Sequence, residues 1–69
     1  MSSNRYAVEV SEIEGAWRVR ILDPDGREVF ERTARDEAEA RAFASTVDQH
    51  RGWLSEERFR RYYRIPEEV

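Results

Sequence analysis

The sequence predicts an α+β fold: a three-stranded antiparallel meander packed against one long helix, with a short helix at the carboxyl end. Three observations carry that expectation. Apolar residues alternate at every second position in the first half of the chain, the period of half-buried strands. From Asp36 onward they recur at helical spacing instead. The glycines, Gly15, Gly26 and Gly52, fall where a reversal or a stop is needed.

The first strand is carried by Tyr6, Val8 and Val10, which alternate with Ala7, Glu9 and Ser11. Gly15 separates it from a second run, in which Trp17, Val19 and Ile21 alternate with Arg18 and Arg20. The motif DPDG then turns the chain, with Pro24 pre-set for the second turn position and Asp23 able to hold the turn by its side chain. Residues 27–32, carrying Val29 and Phe30, form the third strand, and short turns make adjacent strands antiparallel with residues 17–22 central. A four-residue loop over 23–26 would set Phe30 beside Val19 on the buried face and Glu31 opposite Arg18 outside. A slip of one residue would bury Val29 and reverse the faces. The larger area of Phe30 favours the first register.

Asp36 is placed to cap the long helix, with Glu37 and Glu39 near the positive end of its dipole. Ala40, Phe43, Ala44 and Val47 make one apolar stripe, and the pattern runs to about Arg51, where Gly52 suits a left-handed cap. Ser55 followed by Glu56 and Glu57 starts a second helix, which ends near Tyr63 because Pro66 disfavours helix at Ile65.

Sixty-nine residues make a single small domain. A chain of this size buries roughly 60% of its unfolded surface, so its core is thin. Cysteine is absent, which removes a disulfide staple and leaves a partner, another protein or a second copy, as the expected support. Charged residues make up 39% of the chain, yet eight aromatics supply core material, the mixture of a folded domain. No apolar run approaches a membrane span, and MSSNRYAVEV lacks a basic start and apolar signal core, so the expected setting is cytoplasmic.

The strongest binding candidate lies in residues 51–64. Five arginines stand there against Glu56 and Glu57, a local charge of +3 in a chain of net charge −3. Trp53, Arg58, Tyr62, Tyr63 and Arg64 are the candidate contacts for a protein partner, and the interleaved basic and aromatic residues could also clamp phosphates and stack bases. Ion pairs from Glu56 to Arg60 and from Glu57 to Arg61 are expected at i,i+4 spacing, and Phe59, Tyr62 and Tyr63 share a face that can pack inward. The second candidate is DNA binding on the open sheet face, with Arg18, Arg20, Arg27 and Arg32 as phosphate contacts. Cross-strand pairing of Arg18 and Arg20 with Glu9 and Glu31 competes with it, and the net charge of −3 disfavours nucleic acid.

His50 stands alone, without a cysteine or a well-spaced carboxylate to join it on a metal. No glycine-rich phosphate loop, nucleophile elbow or HExxH occurs. The expectation is a non-enzymatic chain without cofactor, metal or small-molecule ligand.

The run GAWRVRILDPDGREVFERTARDEAEARAFASTV resembles the amino-terminal arm-binding domain of phage-type tyrosine integrases. The matching positions are Gly15, Trp17, Arg18, Arg20, Asp25, Gly26, Ala38, Glu39, Ala40 and Phe43, about half the chain. The resemblance implies a three-stranded sheet with an alanine-rich helix behind it, and a sheet face that enters the DNA major groove.

Overall fold

The computed structural model describes residues 4–66. Strands β1 (Ala7–Ile13), β2 (Ala16–Leu22) and β3 (Glu28–Ala34) are followed by helices α1 (Glu37–Trp53) and α2 (Glu56–Tyr62). The sheet order is β1-β2-β3 with both pairings antiparallel, the architecture that the sequence predicts.

Local chemistry explains each boundary. Glu14 (φ 53°) and Gly15 (φ 83°) both lie in the left-handed region, the pattern of a two-residue turn whose twist suits a hairpin. At the next turn, the Asp23 carboxylate accepts from the backbone N–H groups of Asp25 and Arg27, each at 2.9 Å. Gly26, at φ 88°, donates its N–H to the Asp23 carbonyl at 2.8 Å. The Asp36 side chain caps α1 by accepting from Glu39 N–H at 2.9 Å, and Glu39 reaches back to Arg35 N–H at 2.6 Å. Ser55 caps α2 by accepting from Arg58 N–H at 3.3 Å.

The β2–β3 register differs from expectation by two residues. Phe30 pairs with Ile21, not Val19, and Glu31 lies opposite Arg20, not Arg18. Because Asp23 holds Arg27 inside the turn, Leu22 pairs with Glu28; a bulge then adds one residue before Phe30. Two single shifts restore the original parity, so Phe30 keeps the face it shares with Val19 and Ile21. The bulge also brings Val29 against the core beside Phe30.

Gly52 is a second correction. It lies within α1 at an ordinary helical φ, and the helix continues to Trp53 before Leu54 turns extended. The left-handed cap appears instead after α2, at Arg64 (φ 57°), where Ile65 N–H reaches the Arg60 carbonyl at 2.8 Å.

Helix α1 covers one sheet face and divides the interior into two adjoining clusters. Val19, Ala34 and the fully buried Ala40 form one, joined by Trp17, Val10 and Ala44. Tyr6, Ile21, Val47, Phe59 and Ile65 form the other. Phe43 and Val8 pack against both, so the interior is continuous. The residues before β1 fasten α2 to this second cluster. Asn4 Nδ2 donates to the Leu54 carbonyl at 2.9 Å, and Arg5 grips Glu56 with its side chain at 2.8 and 3.2 Å and its backbone N–H at 3.0 Å.

Candidate interaction surface

The stretch FRRYYRIP splits between inside and outside. Phe59 is fully buried, its ring 5.0 Å from that of Tyr6, and Ile65 is also buried. Tyr63 is half-buried, with its ring 4.9 Å from Phe59 and 5.8 Å from Phe30. Its hydroxyl meets His50 Nδ1 at 2.7 Å, and burial, with the neighbouring Tyr62, pushes its pKa up to about 12. Tyr63 is therefore an anchor beneath the surface.

Tyr62, the next residue back, points outward and is 60% exposed. Trp53, at the last turn of α1, is 74% exposed. The two are linked through the His50 ring, whose centroid lies 4.5 Å from Tyr62 and 6.2 Å from Trp53. Tyr62, Leu54, Arg58 and Arg61 line a shallow groove of about 360 Å³. Arg61 pairs with Glu57 at 3.0 Å, as its i,i+4 spacing predicts. Glu56 instead takes Arg5 as its close partner, and that hydrogen bond holds its pKa below the usual range. Arg58 and Arg64 are exposed, and neither makes a side-chain ion pair among the described residues. Arg58 stands in the groove wall; Arg64 lies at the end of α2.

The four arginines of the sheet candidate do not share one surface. Arg18 and Arg20 lie on the open face, as expected, but both meet carboxylates: Arg18 with Glu31 at 2.7 Å, Arg20 with Glu9 at 2.5 Å and Glu28 at 3.4 Å. Those hydrogen bonds, from Glu9 first, raise the Arg20 pKa further. Arg27 sits at the turn against Asp23 at 3.3 Å. Arg32 pairs with Val19 in register and therefore projects on the helix-covered side, with its guanidinium carbon 4.7 Å above the Phe43 ring.

Asp23, Arg27, Tyr6, Arg60 and Ile65 line a second hollow of about 410 Å³ beside this turn. The Asp23 carboxylate there is held below its usual pKa, chiefly by the Arg27 backbone N–H. Its oxygens are engaged in holding the turn, a structural task.

Leu54, Arg61 and His50 belong to the groove or its aromatic border but escape a reading by residue type alone. His50 had a signal, since it stands three residues before Trp53 on one helix. No helix among the described residues is long and apolar enough to cross a membrane. No family model, curated protein or solved structure matches the chain.

Proposed function

We propose that this chain is a non-enzymatic cytoplasmic interaction module that docks another protein, or a second copy of itself, through the α1–α2 end. Trp53, Arg58 and Tyr62 make the contact, Tyr63 supports them from below, and Arg64 extends the basic rim. One observation carries the reading: two large aromatic side chains, Trp53 and Tyr62, flank the His50 ring and are mostly exposed. Exposed aromatics close to arginine have the composition of binding hot spots, where Trp, Tyr and Arg dominate. Isolated exposed apolar residues would need no such account.

The test is sedimentation at micromolar concentration together with a pull-down, using the intact chain and a Trp53→Ala/Tyr62→Ala variant. Association or capture that disappears in the variant supports the reading. A chain that stays monomeric and retrieves nothing contradicts it.

DNA binding through the open sheet face is the rival. It has less support, because Arg18 and Arg20 would have to leave Glu31, Glu9 and Glu28 to meet phosphates. A mobility-shift titration at low salt, where phosphate contacts are strongest, is expected to show no shift. A shift abolished by Arg18→Ala/Arg20→Ala would favour the rival.

A further inference from the structure

Among the described residues, three large apolar side chains are exposed: Trp53, Tyr62 and Ile13. The first two belong to the surface described above. Ile13 stands apart, 52% exposed at the tip of the β1–β2 hairpin, between Glu12 and Glu14. Both glutamates are exposed, and neither has an ion-pair partner among the described residues. The tip is thus an apolar residue between two unpaired negative charges.

The groove has the opposite character. Leu54 and Tyr62 give its lining apolar surface, and Arg58 and Arg61 give it positive charge. Arg58 has no ion pair among the described residues; Arg61 has one surface pair, with Glu57. We propose that the groove of one copy receives the Glu12–Ile13–Glu14 tip of a second copy. Ile13 covers Leu54 and Tyr62, while Glu12 and Glu14 meet Arg58 and Arg61. This rests on the α1–α2 end being a docking surface, and it names the occupant.

The fold places tip and groove so that the contact can be reciprocal. Ile13 pairs with Ala16 at one end of the sheet, and Ala7 pairs with Leu22 at the other. The groove belongs to this second end, because Asn4 bonds the Leu54 carbonyl there and Phe59 packs on Tyr6. The six steps from Ala7 to Ile13 separate the ends by roughly 20 Å. Two copies lying antiparallel can each offer a tip to the other's groove. The arrangement closes as a two-fold dimer, whereas a single one-way contact repeated would build an open chain.

Sedimentation equilibrium of the full chain at submillimolar concentration tests the assignment, with circular dichroism confirming that each variant is folded. The wild-type chain should dimerise. Glu12→Arg/Glu14→Arg sets arginine against arginine, and Arg58→Glu/Arg61→Glu sets glutamate against glutamate; each should raise the dimer Kd about tenfold or more. An equimolar mixture makes both contacts complementary again and should restore dimers. Ile13→Ser should weaken the dimer without any charge change, and it carries the test if a charge variant fails to fold.

A monomeric wild-type chain overturns the inference, as does a dimer indifferent to the tip variants or a mixture that stays monomeric. Two of these outcomes separate it from the docking reading. If Trp53→Ala/Tyr62→Ala abolishes a dimer that the tip variants leave intact, the surface stands and the occupant is wrong. If the wild-type is monomeric yet captures a partner through Trp53 and Tyr62, the surface again stands without the second copy.

Discussion

Replacing Phe59 by alanine tests whether α2 belongs to the core. The side chain is fully buried, with aromatic neighbours at 5.0 Å (Tyr6) and 4.9 Å (Tyr63). Truncating a buried phenylalanine removes its transfer free energy and leaves a cavity, at a cost of ~3–5 kcal/mol. At about 0.05–0.15 kcal/mol per residue, a chain of this length has a total stability of roughly 3–10 kcal/mol. The variant therefore loses from about a third to all of its stability, and urea unfolding followed by far-ultraviolet circular dichroism will register it. Tyr62→Ala, three residues on in the same helix, is the matched control. Its side chain is mostly exposed, so the expected loss is within ~1 kcal/mol, set by its contacts with His50 and Tyr63. If Phe59→Ala costs less than ~1 kcal/mol, or Tyr62→Ala costs as much as Phe59→Ala, the division of this helix into inner and outer faces is wrong.

Three further outcomes follow from local geometry. Glu14→Asn should raise the melting temperature, because asparagine tolerates the left-handed backbone that costs other residues ~1–2 kcal/mol; an unchanged or lower value would count against the turn. Asp23 and Glu56 both have lowered pKa values in the folded state. Their contribution is thus complete above the unfolded carboxylate pKa of about 4 and lost as pH falls through the folded values; denaturant midpoints of the wild-type and of Asp23→Asn should converge in that acid range. Tyr63, raised to about 12, runs the other way: its neutral form is favoured by folding. Its contribution is complete below about pH 10 and lost as pH rises toward the folded value, so Tyr63→Phe should flatten the alkaline decline in stability.

How far these features can be read from the sequence depends on how locally each is decided. The change from a two-residue to a helical period, the Asp36 and Ser55 caps and the hold of Asp23 on the DPDG turn are settled within a few residues, and each stands as expected, though the loop is one residue longer. The β2–β3 register depends on where one carboxylate points. Asp23 captures Arg27 as well as Asp25, which enlarges the loop. Glu56 illustrates a different limit: Arg60 is one helical turn away, but the closest partner is Arg5, 51 positions distant in sequence. No spacing rule can find that pair before α2 is placed against the residues preceding β1.

The candidate site divides in the same way. Basic and aromatic residues around α2 are evident from composition, but which of two consecutive tyrosines faces outward depends on how a seven-residue helix docks. Arg32 was legible after all. Strict alternation from Phe30 puts it on the covered side, away from Arg18 and Arg20. Gly52 marks the end of the helical pattern but not the cap, since Trp53 continues the helix and Leu54 leaves it in an extended conformation.

The fluorescence of Trp53, isolated in a Trp17→Phe background, tests the interaction surface most directly. In dilute solution the emission should resemble that of free tryptophan and be readily quenched by iodide. It should move to the blue and become protected as the chain is concentrated or its partner is added. Emission already blue and protected in the dilute monomer would mean that Trp53 is a core residue; emission that stays red under every condition of association would mean that the contact is made elsewhere.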